Sequence, residues 1–211
     1  MRIDVFLDVS CPWCYIAKRR IEEALRRIAP LTVEVVRHPY QIDGEQPQRP
    51  MPMLRWLAGK YGPERAARMD TAVTAYAARM GLVLRNRAGL AANTLAAHRL
   101  LWLAGREYGE VAQRTLEELL FAAYFTDAAD VSHAGVLTDR ATRAGLAPGR
   151  VTRFLATGEG TEDVRALVRR SRAAVAKVPT VVVGDSVLVE EYDTERIAAV
   201  VRAFAEKETV A

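Results

Sequence analysis

Cysteine is nearly missing from this chain, with two in 211 residues, Cys11 and Cys14. Two cysteines cannot build a disulfide framework, and a bridge across Cys11-Pro12-Trp13-Cys14 closes too small a loop to contribute much chain entropy. A stapled miniprotein is therefore excluded. Histidine is almost as scarce: His38, His98 and His133 are the only three. None stands at a repeat of the cysteine spacing, and a structural zinc site needs four ligands, so no metal centre is expected. No segment approaches eighteen uncharged apolar residues, so no membrane-spanning helix is expected. The opening residues carry Asp4 and Asp8 where a secretory leader has its apolar core, which points to the cytoplasm. Neither charge sign dominates, since 30 Lys and Arg against 26 Asp and Glu leave a net +4. The short arginine runs are isolated and lack interleaved aromatics, which argues against a nucleic-acid partner. What remains is 50% hydrophobic and 27% charged, a globular composition with length for one large domain or for a domain carrying an inserted one.

The two ends of the chain differ in period from its middle. Residues 2–7 alternate, with Ile3, Val5 and Leu7 on one face and Asp4, Phe6 and Asp8 on the other, as in a short strand. Over residues 15–28, Tyr15, Ile16, Ile21, Leu25 and Ile28 recur at helical spacing, leaving Lys18, Arg19, Glu22, Glu23, Arg26 and Arg27 for the wet side. Pro12 suits the first turn of that helix and Pro30 stops it. The β-branched Thr32, Val33, Val35 and Val36 mark a strand over 31–36, which His38-Pro39 ends. Strand, helix and strand within forty residues make a parallel βαβ unit. Residues 41–52 read as a polar loop, with Met51, Met53, Trp56 and Leu57 in a linker. Helices are expected over 63–80, 93–108, 111–124, 133–144, 148–156 and 162–176, with no strand among them and with 93–103 the interior one. Thr180 to Val183 and Val187 to Val189 then flank Gly184-Asp185 as a hairpin, and Asp193 opens a last helix through Phe204. The order βαβ, helices, ββα describes an α/β protein: a thioredoxin fold with an inserted all-helical domain. The expected thioredoxin-like parts are 1–42 and 165–211, and the insertion is 43–164.

Cys11 follows the first strand and stands at the start of the first helix, where unpaired N–H groups and the helix dipole favour a thiolate. It is the expected attacking sulfur. Cys14 lies about one turn into the helix, more enclosed, and is expected to resolve the mixed disulfide formed at Cys11. Asp8, three residues before Cys11, is either a relay for the Cys14 proton or a strand-end acid satisfied by nearby N–H groups. Trp13 either offers contact area to a substrate or packs over the active-site turn. His98, among Leu95, Leu101 and Trp102, reads as a hydrogen-bonded interior residue. Pro179, entering the third strand after Val178, is by itself only an entry residue.

Three stretches carry a family likeness: residues 6–19, Phe6-Leu7-Asp8-Val9-Ser10-Cys11-Pro12-Trp13-Cys14-Tyr15-Ile16-Ala17-Lys18-Arg19; residues 93–100, Asn93-Thr94-Leu95-Ala96-Ala97-His98-Arg99-Leu100; and Val178-Pro179-Thr180. Residues 120–125 and Gly145-Leu146 add to it. The chain resembles a DsbA-family thioredoxin-fold oxidoreductase, and within that family the cytoplasmic FrnE-like branch. The resemblance implies disulfide exchange or isomerisation with Cys11 as nucleophile and Cys14 as resolving cysteine. It implies a cis Val178-Pro179 bond at a substrate groove that Pro12, Trp13, Asn93 and His98 also line, and a helical insertion covering one side of the cysteine helix. Two departures stand out. Val189-Glu190-Glu191-Tyr192-Asp193 replaces a Ser-Gly-Ala-Gln-Pro stretch, placing acids near the expected groove mouth, and Lys177 replaces a glycine.

The function expected is therefore thiol–disulfide exchange on a protein or small-thiol disulfide. No tightly bound cofactor is expected, and a low-molecular-weight thiol or a reductase would recycle the pair. The rival enzyme class is a small-molecule isomerase or thiol-dependent transferase of the same superfamily, which needs at most one thiol. A binding protein using the groove, with Met51, Met53, Trp56 and Leu57 as adaptable apolar surface, is a third class. Both a monomer and a homodimer fit the composition.

Overall fold

The computed structural model describes residues 1–44 and 49–210, with side chains described through residue 208. In chain order the elements are β1 (Arg2–Leu7), α1 (Pro12–Arg27), β2 (Glu34–Pro39), β3 (Met51–Pro52), α2 (Met53–Tyr61), α3 (Pro63–Ala78), β4 (Leu90–Ala91), α4 (Leu95–Glu107) and α5 (Gly109–Phe121). A π turn (Ala122–Thr126) extends α5, followed by α6 (Ala134–Arg143), α7 (Pro148–Ala156), α8 (Thr161–Ala174), β5 (Thr180–Val183), β6 (Ser186–Val189) and α9 (Thr194–Val210). Two compact units result: Met1–Ile42 with Ala166–Ala211, and Asp43–Arg165.

The first unit is built on a four-stranded sheet in the order β2-β1-β5-β6. β1 pairs in parallel with β2, Arg2 opposite Glu34 and Leu7 opposite Pro39, and antiparallel with β5, Phe6 opposite Thr180. As one of the two inner strands it is covered on both faces: Ile3, Val5 and Leu7 are buried, and so is Phe6. β5 and β6 form an antiparallel hairpin through Gly184, whose φ of 55° favours glycine. A Cβ there would also collide with the Phe204 ring of α9. Asp193 starts α9 by accepting hydrogen bonds from the Glu195 and Arg196 N–H groups at 2.8 and 3.2 Å.

The second unit is helical, with Leu100, Leu103, Leu116, Leu120, Phe121 and Phe154 fully buried. Arg99 of α4, only 8% exposed, donates to the carbonyls of Phe154, Thr157 and Glu159 at 3.1, 2.7 and 2.9 Å. It thereby satisfies the orphan carbonyls at the end of α7 and in the loop after it.

The mixed α/β thioredoxin-type architecture follows the sequence reading, and several local expectations are corrected. The second strand lies at Glu34–Pro39, three residues later than expected, because its register against β1 begins at Glu34. Pro39 is tolerated in it because β2 is an edge strand. The presumed linker around Met53, Trp56 and Leu57 is the helix α2, which starts directly behind Pro52. β3, at the end of the expected loop, and β4, within the stretch expected to hold no strand, form a two-residue antiparallel ladder with Met51 opposite Ala91. Lys18, assigned to the wet side of α1, is 3% exposed and places Nζ 2.7 Å from Glu22 Oε1, one turn on.

Candidate active site

β1 ends at Leu7, and the chain turns through Asp8, Val9 and Ser10 before entering α1. The turn is closed by the Cys11 N–H on the Asp8 carbonyl at 3.0 Å. Cys11 is the last extended residue before the helix, with φ −99° and ψ 113°, and Pro12 takes the first helical position. The Cys11 carbonyl accepts from the Cys14 and Tyr15 N–H groups at 3.0 and 3.2 Å, which carries the peptide chain straight into α1. No side chain caps this end and no acid lies in the first turn, so no other anion competes with a sulfur for the positive end of the helix.

Both cysteines are free thiols, Cys11 6% exposed and Cys14 fully enclosed. Burial is the main cause that pushes the Cys14 thiol well above the ordinary thiol range, and its hydrogen bond to Cys11 and the charge on Cys11 push the same way. The Asp8 N–H favours the Cys14 thiolate, whereas the Asp8 carboxylate charge disfavours it. The pair is thus differentiated: the outer sulfur sits at the helix end, and the inner one keeps its proton.

Asp8 is fully buried, and its carboxylate is held by local donors. Oδ1 accepts from the Ser10 N–H at 3.1 Å, and Oδ2 accepts from Ser10 Oγ and from the Ile42 N–H, both at 2.8 Å. These bonds are those of a satisfied strand-end acid.

Antiparallel pairing of β5 with β1 places the start of β5 beside the end of β1. Val178 and Pro179 therefore lie at the end of the sheet from which the Cys11 turn departs. Their peptide bond is cis, and both residues are buried. Thr180 Oγ1 donates to the Lys177 carbonyl at 2.7 Å, and the Pro179 carbonyl accepts from the Glu190 N–H at 2.9 Å. Trp13 packs against Tyr192 with ring centroids 5.0 Å apart, a partner that sequence reasoning missed. The acids around Tyr192 are engaged locally: Glu190 faces Lys177 at 3.6 Å, Glu191 accepts from the Tyr192 and Asp193 N–H groups, and Asp193 caps α9.

Of the residues singled out in the sequence, Asp8, Cys11, Pro12, Trp13, Cys14, Val178 and Pro179 belong to the first unit. Asn93 and His98 belong to the second. There Asn93 Oδ1 accepts from the Leu95 N–H at 2.9 Å, supporting the start of α4, and His98 is 3% exposed within that helix. His38, unassigned from sequence, stacks on Phe6 at 4.5 Å and places Nε2 2.6 Å from Asp4 Oδ1.

The sequence matches the DSBA-like thioredoxin domain over residues 2–203. No curated protein sequence matches the chain. Among solved structures, a protein named "probable DsbA oxidoreductase" from Streptomyces coelicolor is 29% identical, with a TM-score of 0.87 over 98% of this chain and 90% of that one. The cytosolic disulfide reductase DsbM from Pseudomonas aeruginosa shares the fold at 18% identity, with a TM-score of 0.61 over 99% and 98% of the two chains. A 2-hydroxychromene-2-carboxylate isomerase shares it at 15% identity, with a TM-score of 0.65 over the full length of both. A family match that runs from β1 through the cysteine helix and the helical unit into α9 leaves one assignment: the chain belongs to the DSBA-like thioredoxin domain family.

Proposed function

We propose that the protein is a cytoplasmic thiol–disulfide oxidoreductase or isomerase of the FrnE-like branch, acting on a protein or small-thiol disulfide. The observation that carries this reading is the asymmetry of the two sulfurs, with Cys11 at the uncapped head of α1 and Cys14 enclosed behind it with a raised pKa. In the reducing direction, the Cys11 thiolate attacks one sulfur of the substrate disulfide. A Cys11–substrate disulfide forms, the substrate S–S bond breaks, and the first substrate thiolate leaves. Cys14 then gives up its proton and attacks the Cys11 sulfur, forming the Cys11–Cys14 disulfide and releasing the second substrate thiolate. Two electrons pass to the substrate, and a low-molecular-weight thiol or a reductase returns them to the pair. Isomerisation follows when a substrate thiol, rather than Cys14, displaces Cys11.

No tightly bound cofactor is needed for these steps. Val178 and Pro179, at the same end of the sheet as the Cys11 turn, are proposed to hold an extended substrate through main-chain atoms, with Pro12 and Trp13 beside it. Asp8 is proposed as a relay acting through water. A cytoplasmic setting, where thiols are kept reduced, favours reduction or isomerisation over net oxidation.

Trapping tests the proposal. A Cys14→Ser variant incubated with cell extract is expected to retain its client as a Cys11 mixed disulfide, identifiable by mass spectrometry, while Cys11→Ser retains nothing. Capture of neither a protein nor a small thiol overturns the reading. Full turnover of an unsaturated cyclic substrate by Cys14→Ser supports the isomerase class in its place, because that chemistry survives with one thiol.

A further inference from the structure

The helical unit contains a cavity of about 330 Å³ that plays no part in the sulfur chemistry. It lies between α3, which contributes Asp70 and Thr74, and the following turn, which contributes Leu84, Arg85, Asn86 and Arg87. The turn is pinned: the Arg85 N–H donates to the Phe125 carbonyl at 2.7 Å, and Ala88 N–H closes back on the Arg85 carbonyl at 2.9 Å. The cavity is thus part of the fold rather than a gap under a loose loop.

Its polar groups are unevenly satisfied. Asp70 and Asn86 are both more than nine-tenths buried. Asn86 Nδ2 and Thr74 Oγ1 both donate to the same carboxylate oxygen, Asp70 Oδ1, at 2.9 and 3.3 Å. Among the described residues nothing donates to Asp70 Oδ2, and no cation pairs with the carboxylate. Asn86 Oδ1 is likewise buried with no partner. A carboxylate oxygen that lines the cavity without a protein donor and a buried acceptor without a donor can both be served by one cationic donor. Arg85 and Arg87, also lining the cavity, are exposed and have no ion-pair partner among the described residues. A bare cation entering beside two guanidinium groups is repelled, whereas a molecule carrying its own anion is not. The volume lies at the small end of the range of ligand pockets, about 300–1,000 Å³.

We propose that this cavity binds a small zwitterion of α-amino-acid size, with its ammonium on Asp70 and its carboxylate between Arg85 and Arg87. The ammonium has three protons to donate, enough to serve Asp70 Oδ2 and, with a small rotation of the carboxamide, Asn86 Oδ1. The two arginines supply the planar donors that suit a carboxylate.

The experiment is a titration of the full-length ¹⁵N-labelled protein with L-alanine, L-serine and L-glutamine in turn, following the Asn86 side-chain amide and the backbone amides of the turn. Ethylamine and propionate, each lacking one of the charges, serve as controls. At least one amino acid is expected to shift these resonances saturably, and Asp70→Asn to weaken its binding by about tenfold or more, equivalent to about 1.4 kcal/mol. The double variant Arg85→Ala, Arg87→Ala is expected to weaken the amino acid while ethylamine, relieved of two repelling charges, binds more tightly. Both variants are expected to keep wild-type disulfide exchange, so failure here is separate from failure of the redox reading. No shift with any of the three amino acids overturns the proposal, and so does ethylamine or propionate binding as tightly as the amino acid. A shift that survives Asp70→Asn, in a variant whose near-ultraviolet circular dichroism matches wild type, also overturns it.

Discussion

Two thiols three positions apart stand in different settings: Cys14 is enclosed, with its pKa raised by burial, and Cys11 stands at a helix end. Iodoacetamide at neutral pH should therefore modify Cys11 first, and peptide mapping that finds Cys14 labelled ahead of it contradicts the assigned roles. The raised pKa of Cys14 also has a sign in stability. In the unfolded chain its thiol titrates near ~8.5, whereas in the folded protein it holds its proton to higher pH. Above the unfolded value the unfolded chain binds fewer protons, so stability falls as pH rises, by up to ~1.4 kcal/mol per pH unit, until the folded pKa is passed. Urea unfolding of the reduced protein between neutral and alkaline pH should show this slope, and Cys14→Ala should flatten it. Asp8, fully buried under three hydrogen bonds, should cost about 2–4 kcal/mol when changed to alanine, measured by the same unfolding. The cysteine pair was legible in the sequence because its parts are local: a strand, two thiols and a proline at a helix start. Tyr192 was not, because its contact with Trp13 joins residues far apart in the chain and no local pattern announces it. The acids beside it drew the eye by their charge, yet Glu191 and Asp193 bond to their own backbone.

Elements are held here by a few residues whose substitution has a definable cost. Gly184 turns the β5–β6 hairpin in a left-handed conformation and meets the Phe204 ring, so Gly184→Ala combines backbone strain with a steric clash. The expected loss is about 2–4 kcal/mol, read as a lowered melting temperature. Arg99→Met removes the donors to three carbonyls around the end of α7. It should cost about 2–4 kcal/mol, or roughly 5–15 °C in melting temperature. An unchanged thermal transition in either variant contradicts the stated cause. Legibility at this scale follows length and capping. α7, bounded by Pro148 and Ala156, coincides with its expected span, and α1 with its proline start was evident. β3 and β4 are too short to show a period, and α2 was hidden by Pro50 and Pro52 directly before it, which read as loop residues. Lys18 was misplaced because charge alone suggested water, whereas an ion pair with Glu22 one turn away accommodates it inside.

The whole molecule assembles its sheet from the two ends of the chain. β1 and β2 come from the first forty residues, while β5, β6 and α9 come from beyond residue 179. A chain terminated after Pro179 retains Cys11 and Cys14 but loses one neighbour of β1 and the helix that packs along α1. Its disulfide exchange, followed by insulin reduction, is expected to vanish although both thiols remain. Activity at the full rate would show that the reactive arrangement is local to α1. The fold class was readable from the return of β-branched residues after a long helical stretch, because strand propensity and period are local properties of a segment. The order β2-β1-β5-β6 is a matter of pairing across that stretch. This arrangement has a temporal side. On a ribosome adding about 5–20 residues per second, roughly 10–30 s separate the synthesis of Cys14 from that of β5. Throughout that interval the nascent chain carries two thiols without the strand that will flank β1. Oxidation, alkylation or exchange with a disulfide can reach them before the finished fold encloses Cys14, so the redox state in which the protein is born is set by its surroundings during translation.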